Sequence, residues 1–157
     1  KLYREIFPYT EICKTLFDYN MEAPNPPDEI FITDTTFRDG QQSRAPYRVH
    51  QILDLFDLLH RLGGATGVIR QCEFFLYSDK DKEVVRKCQE RGYRYPEITG
   101  WIRAHEKDFE IVKGMGLKET GILTSVSDYH IFLKLKKNRR EAMEGYLRIV
   151  EKALEEG

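Results

Sequence analysis

The chain has 157 residues, 25 Lys and Arg against 26 Asp and Glu, and a formal net charge of -1. That length suits one domain with one core, and the balanced charge excludes the basic excess that a nucleic-acid or membrane-surface partner needs. No apolar run approaches the roughly 20 residues of a membrane span.

Residue 1 is Lys rather than Met, which reads as a processed, trimmed or partial piece. Residues 1–20 carry Leu2, Ile6, Phe7, Ile12, Leu16 and Phe17 at helical spacing, broken at Pro8, and predict an amphipathic arm. Pro24, Pro26 and Pro27 make a stiff linker. The expected division is therefore a helical arm and linker over 1–28 and a catalytic unit over 29–157. From there the pattern alternates. A strand at 29–35 precedes a helix at 46–62 whose inner face is Val49, Ile52, Leu53, Phe56, Leu59 and Leu62, stopped by Gly63-Gly64. A strand at 67–75 precedes a helix at 80–91 ended by Gly92. A strand at 97–103 precedes a helix at 106–114. The last strand, 119–124, leads through a polar loop to a helix at 139–155, with Ala142, Tyr146, Ile149, Val150 and Ala153 facing inward. The three cysteines, Cys13, Cys72 and Cys88, are odd in number and far apart, so neither a disulfide framework nor a zinc knuckle is expected and a reducing cytoplasm is the natural setting.

Four βα units in succession imply parallel strands with helical crossovers. Each strand delivers polar groups at its carboxyl end. Arg38 and Asp39 follow the first, Glu73 lies in the second, Arg103 closes the third, and Ser125, Ser127, Asp128 and His130 follow the fourth. A (β/α)8 barrel builds its site there from many strands, whereas a doubly wound sheet concentrates it at one switch point behind a Gly-rich turn that is missing here. The expected fold is thus α/β, a TIM (β/α)8-type barrel of which this chain supplies the first four units, since a complete barrel takes about 250 residues.

The segment Asp34-Thr35-Thr36-Phe37-Arg38-Asp39-Gly40-Gln41-Gln42 resembles the first-strand signature of the metal-dependent Claisen-condensing and lyase barrels. That group includes 2-isopropylmalate, homocitrate, citramalate and Re-type citrate synthases and hydroxymethylglutaryl-CoA lyase. Glu73 sits where the family has a second-strand glutamate. Trp101-Ile102-Arg103-Ala104 is similar to its Leu-x-Arg-Ala segment, and Ser127-Asp128-Tyr129-His130 with Lys134-Leu135 to its Ser-x-x-His…Lys-Leu segment. The chain departs from the pattern at Gln41, commonly Glu in the synthases. It departs again at Tyr77-Ser78-Asp79-Lys80-Asp81, which replaces a Ser-Pro-Gly-Asp turn. The family completes its metal site with a later His-x-His pair, and His50, His60, His105 and His130 include none.

The resemblance implies condensation of acetyl-CoA with a 2-oxo acid, assisted by a divalent metal (Mg, Mn or Zn) acting as a Lewis acid. It makes Asp39 a metal ligand; the plainer reading is a helix N-cap or Asx-turn carboxylate. It makes Arg38 catalytic, stabilising an oxyanion, against a surface ion pair. Glu73 is the second catalytic candidate, because a carboxylate in an apolar strand is costly unless paired. Its plainer reading is an ion pair with Arg70 or Arg103. Gln42, Arg103, Ser127 and His130 are the substrate-binding candidates. Gln42 serves equally as an ordinary turn residue, Arg103 as a partner of Glu73, and His130 as a solvated loop histidine. Trp101 and Tyr129 are pocket wall or packing, and the basic run Lys134–Arg140 is a solvated loop before a helix. A lyase or aldolase on the same scaffold and a non-catalytic half-barrel are the competing functions. The partners expected are small molecules and further copies of the chain in a homo-oligomer.

Overall fold

The structure, a computed structural model, describes residues 28–156 together with the pairs 16–17 and 20–21. In the unit 1–30, β1 (Leu16–Phe17) pairs antiparallel with β2 (Asn20–Met21). Helical spacing placed Leu16 and Phe17 in a helix; they are strand instead. Apolar residues two apart in sequence from a partner pair suit antiparallel pairing as well as a helical face, and periodicity over so short a run does not separate the two. The remainder of the expected arm, including Leu2, Ile6, Phe7 and Ile12, and the proline linker lie outside the described residues.

The unit 31–157 is a succession of βα units. β3 (Ile32–Asp34) leads to α1 (Val49–Gly63), β4 (Ile69–Phe74) to α2 (Asp79–Gln89), β5 (Glu97–Arg103) to α3 (Glu106–Gly114), and β6 (Thr120–Leu123) to α4 (Arg139–Glu155). The sheet order is β3-β4-β5-β6 and every pairing is parallel. Strands in sequential order, with no reversal, exclude a doubly wound sheet and its switch point; this is half of a (β/α)8 barrel.

Strand parity sorts the side chains into two faces. On the helix side, Cys72, Phe74 and Ile102 join Phe37, Ile52, Phe56, Leu76, Val84, Val85, Cys88, Phe109, Val112 and Met115 in one buried core. Phe37 stacks on Phe74 with ring centroids 4.9 Å apart. Burial pushes both core thiols up, Cys88 to about 12, so neither is a nucleophile at neutral pH. On the other face the register brings Glu73 beside Thr99, Trp101 beside Gly121 and Arg103 beside Leu123. This is the barrel interior, and it is polar where the core is not.

Local chemistry explains the junctions. Ser78 Oγ accepts the Asp81 N–H at 3.1 Å and Asp81 Oδ2 accepts the Ser78 N–H at 3.0 Å, a capping box that starts α2. Asn138 and Glu141 do the same for α4. Tyr146 donates its hydroxyl to the Ser125 carbonyl at 2.9 Å and pins the loop after β6. Two expected inward positions are corrected. Leu62 and Val150 are exposed, because no neighbouring element among the described residues covers their side of the helix. Among these residues no helix is long and apolar enough to cross a membrane.

Candidate active site at the carboxyl ends of the strands

The turn after β3 is built by its own side chains. Asp34 Oδ1 accepts the Thr36 N–H and its Oδ2 accepts the Thr36 hydroxyl, both at 3.0 Å, which ends the strand in an Asx-type turn. Gln41 then ties the turn together: its Nε2 donates to the Phe37 carbonyl at 2.7 Å and its Oε1 accepts the Tyr47 N–H at 3.0 Å. A glutamate there could accept the second bond but not donate the first. With Phe37 anchored in the core, the next residue, Arg38, emerges on the opposite side.

Arg38 is held from three directions. Its Nε donates to Glu73 Oε2 at 2.6 Å, its Nη2 lies 3.0 Å from Asp39 Oδ2, and its guanidinium lies over the Trp101 ring, 3.9 Å from the centroid. Glu73 is buried and pairs with Arg38, not with Arg70 or Arg103 as the sequence suggested. The two residues are 35 apart in sequence, and only the β3–β4 register brings them together. Arg70 instead bonds the Tyr95 hydroxyl at 2.7 Å.

Arg38, Asp39, Gln42, Phe75, Tyr77, Trp101, Arg103 and Leu123 line a cleft of about 470 Å³ at the carboxyl ends of the strands. Glu73 does not line it; it lies behind Arg38, which it holds. Gln42 reaches toward Asp39, its Nε2 3.5 Å from Oδ1, rather than toward Arg38. Arg103 is committed to Asp108, with Nε to Oδ2 at 2.7 Å and Nη2 to Oδ1 at 2.9 Å. The hydrogen bonds that Arg103 donates to the Asp108 carboxylate raise the guanidinium pKa further. Burial works to raise the Asp108 pKa, but the bonds from Arg103 and Tyr77 outweigh it and the net shift is downward.

The fourth strand's candidates are not in the cleft. Ser127 Oγ accepts the His130 N–H at 3.3 Å beside a π-helical turn over Tyr129–Lys134, and both residues are exposed and outside the cleft lining. Tyr129 is likewise exposed, so it is neither pocket wall nor core. Arg139 of the basic run forms a bidentate pair with Asp128, at 2.7 and 2.6 Å, which is a structural use of that charge. Sequence reading missed Tyr77, Phe75 and Asp108. Asp108 carried a signal: a carboxylate five residues beyond Arg103, in the first turn of a helix.

Asp39 is a half-exposed carboxylate, a hard oxygen donor of the kind Mg²⁺ or Mn²⁺ prefers. Around Arg38, one positive charge faces two negative ones, a surplus that favours a cation. Yet no group of three or more His, Cys, Asp or Glu that could hold a metal exists among the described residues. These residues alone do not form a divalent-cation site.

A family model described as HMGL-like matches residues 29–157. A citrate (Re)-synthase from Syntrophus aciditrophicus is 60% identical over 156 residues, 99% of this chain and 25% of the relative. A citrate (Re)-synthase from Clostridium kluyveri is 53% identical over 156 residues, covering 99% of this chain and 34% of its own. A 2-phosphinomethylmalate synthase from Streptomyces hygroscopicus is 36% identical, covering 98% and 36% respectively. The chain thus spans between a quarter and a little over a third of these relatives.

Proposed function

The chain belongs to the HMGL-like family, and from that premise we propose that it is the first half of the catalytic barrel of an acyltransferase that condenses acetyl-CoA with a 2-oxo acid. The carrying observation is the convergence of Arg38, Trp101 and Arg103, from two different strand ends, on one cleft. Two relatives named for citrate synthesis favour an acid that yields citrate on gaining an acetyl unit, which by carbon count is oxaloacetate. They weigh against the lyase reading and against an inert half-barrel.

In this reading Arg38 donates charge-assisted hydrogen bonds to the oxygen that gains negative charge. Glu73 and Trp101 fix its guanidinium, so no reorganisation is needed when that charge develops. Trp101, Phe75 and Leu123 wall the cleft and exclude water. Gln42 and Arg103 bind the acid, and Ser127 and His130 reach substrate only if the π-helical turn rearranges. Asp39 gives one oxygen donor to a divalent cation whose other donors lie outside the described residues. A cytoplasmic homo-oligomer completes the proposal.

The test is release of free thiol from acetyl-CoA by the full-length protein with a panel of 2-oxo acids. Thiol release with oxaloacetate is expected. Cleavage of a hydroxyacyl-CoA with no thiol released from acetyl-CoA by any acid would reverse the assignment.

A further inference from the structure

Beneath Arg38 the interior face of the sheet carries a set of hydrogen bonds with one gap. Gln71 uses both ends of its amide, accepting the Thr33 hydroxyl at 3.0 Å and donating to Glu119. One layer up, Glu73 gives Oε2 to Arg38. The gap is at Thr99, which lies beside Glu73 in the β4–β5 register and two residues before Trp101 on the same face of β5. Thr99 is 7% exposed, and its hydroxyl is the single buried side-chain polar atom without a hydrogen-bond partner among the described residues.

A buried hydroxyl that makes no bond destabilises the fold, and an apolar side chain of the same shape would remove that penalty. Neighbouring strands run about 4.8 Å apart, so a turn of the Glu73 carboxylate brings an oxygen within reach of the Thr99 hydroxyl. The other acid near Thr99, Glu119 on the β6 side, is exposed and already takes Gln71. Glu73 is the acid that gains from a second donor. It is buried, and among the described residues its side chain bonds Arg38 alone. When an anion in the cleft draws Arg38 toward itself, Glu73 is left a buried, unpaired carboxylate, a far larger penalty than an unpaired hydroxyl.

We propose that Thr99 is a positioning residue. Its hydroxyl is the reserve partner of the Glu73 carboxylate and keeps it seated whenever Arg38 turns to an anion entering or leaving the cleft, so that Arg38 returns to one place. The consequence for turnover rests on the condensing-enzyme reading; the exchange of hydrogen bonds does not.

Thermal melts of the full-length protein test the exchange. In the wild-type background Thr99→Val should raise Tm by about 1–2 °C, because it removes an unpaired buried hydroxyl. In an Arg38→Met background, where Glu73 has lost its partner and takes the hydroxyl instead, the same change should lower Tm. A shift of the same sign in both backgrounds would overturn the proposal. If Arg38→Met does not fold, Arg38→Ala takes its place, and the same reversal of sign is expected. In thiol release with oxaloacetate, Thr99→Val should lower kcat about tenfold with the KM for acetyl-CoA within about threefold. Thr99→Ser, which keeps the hydroxyl, should keep most of the activity. Unchanged kcat in Thr99→Val, or equal loss in the Ser and Val variants, would also overturn the proposal. If the wild-type protein releases no thiol with any acid, the condensing reading fails, and the melts alone decide the role of Thr99.

Discussion

Arg38 is held by Glu73, Asp39 and Trp101 at once, and that geometry cannot be reproduced by lysine. A point charge on a flexible stem cannot bond Glu73, meet Asp39 and stack on Trp101 together. Arg38→Lys should lower kcat by roughly 10²–10³-fold with a far smaller change in the KM for acetyl-CoA, measured by thiol release. Asp108 makes a separate prediction about pH. Its folded pKa is depressed, so its contribution to stability is present above the ordinary carboxylate value of about 3.9 and is lost as pH falls through the lower folded value. The stability difference between wild type and Asp108→Asn, read by thermal melts, should hold steady near neutral pH and shrink below about pH 4. At this scale the sequence places Arg38, Asp39 and Arg103 at one rim, because strand ends in a βα pattern aim their residues there, and all three line one cleft. It shows that Glu73 needs a partner but not which one, since a pair 35 residues apart depends on register. Ser127 and His130 lie outside the cleft lining because the π-helical turn after β6 carries them away from it, which residue spacing does not show.

Elements explain how the cleft keeps its shape. Trp101 on β5 can lie flat only because Gly121 faces it on β6: a Cβ there would sit 1.9 Å from Cε3 of the indole. Gly121→Ala should push the ring aside, release Arg38 from its stack and cost about 1–3 kcal/mol from overpacking. Trp101 is the single Trp of this chain, so a shift in indole emission together with lost activity would report the displacement; unchanged emission would contradict it. The helices and strands were largely legible. The 97–103, 106–114 and 139–155 spans coincide with β5, α3 and α4, where caps and periodicity agree. The first strand covers only Ile32–Asp34 of the expected 29–35, because pairing with β4 begins at Ile32.

At the scale of the molecule, half a barrel is an unfinished surface. β3 and β6 are sheet edges, and α4 shows a second apolar stripe, Met143, Leu147, Val150 and Leu154, that is exposed. Unpaired edges and contiguous apolar faces drive association. Residues 1–157 made alone should sediment as dimers or larger species; a monodisperse monomer would count against the half-barrel. The barrel itself was readable from the alternation of elements, and the sequential strand order supplies what alternation cannot, the absence of a switch point. The central claim is that the acid sits between Arg38 and Arg103. A crystal structure of the full-length protein with a divalent cation and oxaloacetate tests it most directly. The account predicts the oxo group within hydrogen-bond reach of Arg38 and the distal carboxylate on Arg103. An acid bound elsewhere, with both arginines turned away from it, would contradict it.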